Sequence, residues 1–204
     1  MFCIAAVVRG GVMNKYDVIV IGGGVVGCAV ARELSRYELN IAVIEKEEDV
    51  GWETSSRNTG VVHAGFSHKP GSLKAALCRE GNRDFEVLCH EMDVPYKKLG
   101  KCVVALSDDE IPNLESLARQ GERNGVPGLS IIDRDTLREL EPNLNGVAAL
   151  YSAESAITNP FLLTIALAES AKKNGVDFYL SSPVEEVKKV GTDFHVSVGK
   201  NLFK

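Results

Sequence analysis

Residues 16–21 (YDVIVI) and 41–45 (IAVIE) are continuous apolar runs, the pattern of strands covered on both faces. Between them, around CAVARELSRY (28–37), Val26, Val30 and Leu34 recur at helical spacing with Ala29 and Ala31 beside them. Strand, helix and strand form a βαβ unit, and the handedness of such crossovers sets the two strands parallel. Further on, Ser72 is an N-cap for a long helix ending near Met92. Its expected buried face is Leu73, Ala76, Leu77, Phe85 and Leu88.

The middle of the chain changes character. Residues 101–106 (KCVVAL) read as a strand and 108–124 as a charged amphipathic helix. Residues 130–132, a short helix DRDTLREL and a strand near 147–152 follow, without a glycine fingerprint. Pro160 then opens PFLLTIALAESAKKNG, a helix closed by Gly175, and 176–180 (VDFYL) is a third buried strand. VEEVKKV and DFHVSV flank a Gly191-Thr192 turn, a hairpin signal. Gly199-Lys200 reads as a second turn, after which 201–204 is too short for another strand. That open edge is one folded proteins usually avoid, so a piece of a longer protein is expected. The pattern predicts a leader at 1–12, one discontinuous domain at 13–95 and 153–204, and part of a second at 96–152.

Composition narrows the function. The 204 residues are 45% apolar with a net charge of -5 and no basic run, which argues against a nucleic-acid partner. No stretch approaches the about 18 apolar residues of a membrane span, and the order of charge and apolar run at the N-terminus is the reverse of a signal peptide's. A cytoplasmic protein is expected, with peripheral membrane association left open. Five cysteines include no CxxC pair. Cys78 and Cys89 share the long helix, roughly 16 Å apart along its axis, beyond disulfide reach. Reduced thiols are expected, and no metal site.

Gly22, Gly24 and Gly27 spell G-x-G-x-x-G between strand and helix. The first glycine permits the turn, the second admits a pyrophosphate, and the third lets helix and strand approach. The helix N-terminus then offers free N–H groups and partial positive charge. Glu45 ends the second strand, where an acid accepts from ribose hydroxyls and disfavours a 2′-phosphate. NAD and FAD both satisfy this arrangement. Cys28, in the first helical turn, is expected to pack, not react.

The segment EKEEDVGWETSSRNTGVVHAGFSHKPGSLKAALC separates these two. It resembles the FAD-dependent oxidoreductases of the D-amino-acid-oxidase superfamily, nearest their glycerol-3-phosphate dehydrogenase and L-2-hydroxyglutarate oxidase branches. The R-N-T-G-V-V-H-A-G and K-P-G-S-L-K patterns carry it. ERNGV, DRDTLRELEPNLNGVAALY and NPFLLTIALAESAKKNGV extend it across residues 15–198. The resemblance implies an α/β fold: a Rossmann-like FAD-binding domain with a parallel sheet and a β-meander, plus part of an α+β substrate domain. FAD is the implied cofactor, bound without a covalent link. Gly22, Gly24 and Gly27 would hold its pyrophosphate and Glu45 its ribose, with Lys46 alongside. Ser55 and Ser56 would line the diphosphate, Arg57, Asn58, Thr59 and Gly60 would run toward the ring, and Val184 would meet the adenine through its backbone.

His63 would lie on the substrate side, as a base for a hydroxyl whose carbon gives hydride to the flavin, or as a loop-orienting residue. The implied activity is oxidation of a small anionic hydroxy compound, glycerol 3-phosphate ahead of L-2-hydroxyglutarate, the electrons passing to quinone, oxygen or a partner protein. A non-catalytic flavin-binding fragment is the rival. His68, Lys69 and Lys74 are expected to be solvated, and His90 and His195 to carry no role.

Overall fold

A computed structural model describes residues 13–204, and the expected leader at 1–12, with Cys3, lies outside the described residues. The chain opens with β1 (Met13–Asn14), β2 (Val18–Ile21), α1 (Val25–Leu34) and β3 (Ile41–Ile44). It continues through β4 (Val61–Val62), α2 (Leu73–Glu91), β5 (Tyr96–Lys98), β6 (Lys101–Ala105) and α3 (Ile111–Arg123). Then come β7 (Leu129–Asp133), α4 (Arg134–Leu140), β8 (Ala148–Ser152) and β9 (Ala156–Thr158). It ends with α5 (Pro160–Lys173), β10 (Asp177–Tyr179), β11 (Glu186–Val190), β12 (Asp193–Val198) and β13 (Asn201–Phe203).

Two compact units result: the described residues up to Thr59 with Asn159–Lys204, and Gly60–Thr158. The division falls after Thr59 and Thr158, not at 95/96 and 152/153 as the sequence pattern predicts. Short-strand pairing is the cause: β4 and β5 flank β9 as antiparallel neighbours, and Thr158 N donates to the Gly60 carbonyl at 2.9 Å. Strands of two or three residues are too short to show a period of two.

In the first unit, β2, β3 and β10 form a parallel sheet in the order β10-β3-β2. All four residues of β3 are buried, as its apolar run predicts. β2 differs: it is an edge strand, and Ile21 is 54% exposed. The buried side of α1 is Cys28 and Ala31, not Val26 or Val30, which face solvent. α1 lies against α5, where Ala168 and Ala171 are also buried, and small residues on both helices permit that approach. The Asn159 side chain accepts from Leu162 N, Pro160 begins α5, and Gly175 follows its end at φ +95°.

The second sheet of this unit runs β1-β13-β12-β11. The sequence expectation of an incomplete last strand is corrected here: β13 pairs antiparallel with β12 and parallel with β1. The gain comes from Phe203, fully buried with Tyr16 and Tyr179 in one aromatic cluster; its ring centroid is 4.8 Å from that of Tyr179. Burying a phenylalanine is worth about 1.5–3 kcal/mol, which together with the ladder hydrogen bonds offsets the cost of ordering three residues.

In the second unit, β6-β8-β7 form an antiparallel sheet against which α3 packs, enclosing Phe66, Ala105, Leu114, Val126 and Leu150. α2 starts as expected, with Ser72 Oγ accepting from Ala75 N at 3.2 Å. Its buried face is Ala75, Asn82 and Cys89, while Leu73 and Leu77 are exposed. Asn82 satisfies its burial by donating to the Glu154 carbonyl at 2.9 Å. A polar anchor of this kind is invisible to a count of apolar positions.

Candidate cofactor-binding site

At the carboxyl ends of its parallel strands, the first unit opens a cleft of about 440 Å³. β2 runs into Gly22, β3 into Glu45, and β10 toward residues 182–184; Ile21 and Ile44 at the ends of β2 and β3, and Ser182, Pro183 and Val184 beyond β10, line it. Open parallel sheets bind ligands on this side. Of the residues expected from sequence, Gly22, Gly24, Glu45, Lys46, Ser55 and Val184 line the cleft.

The glycines are demanded by geometry. Gly22 sits at φ +104° while its N–H donates to Ile44 O at 2.8 Å, turning the chain directly off β2. A Cβ on Gly27 would stand 2.0 Å from the Gly22 carbonyl oxygen, so no larger residue fits against the turn. A Cβ on Gly24 would meet only Ser55 Oγ, at 3.0 Å, leaving its backbone bare toward the cleft. Ser55 Oγ also accepts from Val25 N at 3.0 Å, which caps the first turn of α1 from outside the helix. That turn carries no acid of its own, and the Glu45 carboxylate accepts from Gly23 N just ahead of it.

Glu45 is the fixed point. The residue is 8% exposed, and its carboxylate accepts from Gly23 N at 2.5 Å and Glu47 N at 2.9 Å. Its own N–H donates to Tyr179 O, and its carbonyl accepts from Ser182 N, tying the end of β3 to the β10 side. Lys46 extends from the same strand end, 56% exposed, with its ammonium paired to Glu53 and Glu47. The Glu53 carboxylate holds the Lys46 ammonium above the ordinary lysine range, and Lys46 draws Glu53 down. Cys28 lies behind the loop, its thiol donating to Gly23 O at 3.3 Å. Burial, reinforced by Glu45 and Asp49, pushes that thiol up to about 12. It is a packing residue, protonated at physiological pH.

The remaining expected residues lie elsewhere. Ser56 donates to Glu53 O, and Asn58 to the carbonyls of Thr54 and Ser55; neither lines the cleft, nor do Arg57 and Thr59. Gly60, at φ +66°, and His63 belong to the second unit. There the His63 carbonyl accepts from Cys78 Sγ at 3.3 Å. Desolvation by surrounding protein, then the positive charges of Lys101, His68 and Lys74, pull the imidazole below its usual range. Gly51, Trp52, Thr54, Ser182 and Pro183 line the cleft but were not singled out from sequence. For Ser182 and Pro183 a signal existed: both follow a buried parallel strand at its carboxyl end.

A glycine-turned βαβ unit whose second strand ends in a buried acid defines a dinucleotide-binding fold of the Rossmann type. The chain belongs to the FAD dependent oxidoreductase family (DAO), which matches residues 17–201. It is 44% identical over 190 residues to a glycerol 3-phosphate dehydrogenase of Caloramator mitchellensis, covering 92% of this chain and 40% of that protein. It is 41% identical over 178 residues to the mitochondrial L-2-hydroxyglutarate dehydrogenase of Caenorhabditis elegans, covering 86% of this chain and 41% of that one. The L-alpha-glycerophosphate oxidase of Mycoplasma pneumoniae, solved reduced with FAD bound, superposes with a TM-score of 0.86 at 29% identity. That match covers 94% of this chain and 53% of the oxidase. The chain thus spans about two fifths of the length of these curated relatives.

FAD is the cofactor of this family, and the cleft fits it in three respects. The backbone is bare at Gly24, the first turn of α1 carries no acid of its own, and the Glu45 carboxylate stands at the strand end where a ribose is read. Among the described residues no helix is long and apolar enough to cross a membrane.

Proposed function

We propose that the chain supplies the cofactor-binding part of a flavin-dependent dehydrogenase or oxidase for a small anionic hydroxy compound, glycerol 3-phosphate first. The observation that carries this reading is the Gly22–Gly27 turn facing buried Glu45, in a chain 44% identical to a glycerol 3-phosphate dehydrogenase. The 41% identity to an L-2-hydroxyglutarate dehydrogenase supports the second reading, that hydroxy acid as substrate.

In this reading Glu45 accepts from the ribose hydroxyls through lone pairs left by its two backbone donors. The N–H groups at the start of α1 receive the pyrophosphate, which Gly24 allows to approach. Ser55 would offer its hydroxyl to a phosphate oxygen, and Val184 would meet the adenine through its backbone. FAD, when bound, supplies the two-electron acceptor. His63, held neutral by its lowered pKa, accepts the proton of the substrate hydroxyl. Arg57, Asn58, Thr59 and Gly60 form the approach to the ring, with Lys46 near the ribose and Ser56 near the diphosphate. Quinone, oxygen or a partner protein would be the final electron acceptor.

The test has two arms. Flavin fluorescence quenching by the 204-residue chain measures FAD binding directly; a chain that leaves FAD fluorescence unchanged refutes the cofactor assignment. Joining the chain to the remaining portion of the Caloramator relative and following dye reduction measures the substrate. Turnover of glycerol 3-phosphate is expected, turnover of L-2-hydroxyglutarate alone selects the second reading, and a flavin-loaded chimera inert to both refutes both.

A further inference from the structure

The second unit concentrates positive charge around one loop. His63, His68, Lys69 and Lys74 lie within twelve residues, and Lys101 opens β6. Among the described residues none of these five forms an ion pair with a carboxylate. The loop is held firmly. Cys78 Sγ donates to His63 O, and the Gly65 backbone lies against Cys78 and Arg79 of α2. Lys74 stands one helical turn before Cys78, hence on the same strip of α2. Asn124 Nδ2 donates to Gly65 O at 3.0 Å and to His68 O at 2.8 Å, fixing the other end of the loop. Between these anchors Phe66 is buried, and the Lys101 ammonium stands 5.7 Å from its ring centre. The charges of Lys101, His68 and Lys74 all reach His63.

The start of α2 adds to the imbalance. Ser72 Oγ satisfies Ala75 N, but the first turn contains no acid and carries Lys74 instead. A cation at a helix N-terminus opposes the helix dipole. An arrangement that places imidazoles, ammonium groups and a helix N-terminus together without counter-charge is at its lowest energy with an anion among them.

We propose that the loop from His63 to Lys74, with Lys101, is an oxyanion seat that takes the phosphate or carboxylate end of a small molecule. This deepens the proposed function and rests on it only for the identity of the anion, which would be the charged end of the substrate. Lys74, Lys101 and His68 bind the oxyanion. His63 stays the neutral neighbour that feels it: a bound anion favours imidazolium, so its pKa rises toward the ordinary value.

The experiment is an NMR titration of the histidine rings of the 204-residue chain with inorganic phosphate, against sodium chloride at matched ionic strength. A saturable response at His63 and His68, with an upward shift of the His63 titration, is expected for phosphate alone. In Lys74→Met/Lys101→Met the phosphate affinity should fall by about tenfold or more. Identical drifts in phosphate and chloride, or unaltered affinity in a folded double variant, overturn the proposal; if that variant does not fold, the phosphate–chloride comparison decides. Displacement of phosphate by glycerol 3-phosphate or by L-2-hydroxyglutarate then distinguishes a phosphate from a carboxylate ligand. FAD binding, measured on the same samples, separates the two ideas. FAD binding without phosphate binding refutes the seat alone, and phosphate binding without FAD binding refutes the cofactor reading alone.

Discussion

Replacing Glu45 with alanine tests both the local structure and the cofactor reading. The carboxylate accepts from Gly23 N and Glu47 N at 2.5 and 2.9 Å, and the residue is 8% exposed. Removing it strands two backbone donors at about 1–3 kcal/mol each. Because Glu45 borders the cleft, water can enter the space it leaves, which favours the lower end, about 2–3 kcal/mol. For a chain of this size each kcal/mol lowers the melting temperature by about 2–4 °C, so a fall of about 4–12 °C is expected without FAD. Glu45→Gln should recover at most half of that loss. Its single oxygen accepts from one donor, and its amide N–H meets the other. Two ribose hydrogen bonds to a charged acceptor, at roughly 1.5–3 kcal/mol each, amount to about two to four powers of ten in FAD affinity. Differential scanning fluorimetry without FAD reads the first quantity, and fluorescence titration at a temperature where the variant is folded reads the second. A melting temperature within about 2 °C of the parent would show that the carboxylate does not hold the loop. An unchanged FAD dissociation constant would remove Glu45 from the ribose.

Gly27→Ala, with its Cβ 2.0 Å from Gly22 O, should destabilise by about 3 kcal/mol or fail to fold. Gly24→Ala, facing only Ser55 Oγ at 3.0 Å, should fold and lose FAD affinity; equal thermal shifts in the two variants would refute the distinction. The Cys28 thiol, fully buried and pushed from an ordinary 9.0 to about 12, should alkylate roughly tens of times more slowly in the native than in the unfolded chain near pH 8. Peptide mass spectrometry reads this, and equal rates would contradict its burial. Phe203→Ala should cost about 3–5 kcal/mol in chemical denaturation, whereas a loss below about 1 kcal/mol would mean that β13 is not an integral strand.

The sequence was most informative where one residue type answers one backbone need. Gly22 and Gly27 are required by a positive φ and a 2.0 Å approach, so the turn could be read from letters alone. Glu45 was placed by spacing, and Ser72 and Pro160 announced their helices. Legibility failed where partners distant in sequence decide burial. Val26 and Val30 looked like the inner face of α1, but its buried side is the small one at Cys28 and Ala31. The two-residue strands β1 and β4 carry no pattern of their own and exist because β13 and β9 present edges to them. Trp52 borders the cleft through the course of its loop, which no periodicity encodes.

The discontinuity of the first unit has a consequence for the order in which the molecule can be built. Gly60–Thr158 contains every strand partner of its two sheets, so it can complete its pairing as soon as it leaves the ribosome. The parallel sheet cannot: β3 must wait for β10, more than 130 residues later, and β1 waits for β13. Until then the glycine turn and Glu45 stand on a two-stranded fragment without α5 behind it, the kind of long-range closure that slows folding. During synthesis residues 60–158 can therefore complete their pairing before the flanking segments do, and the cofactor cleft forms only after β10 and residues 182–184 have been made.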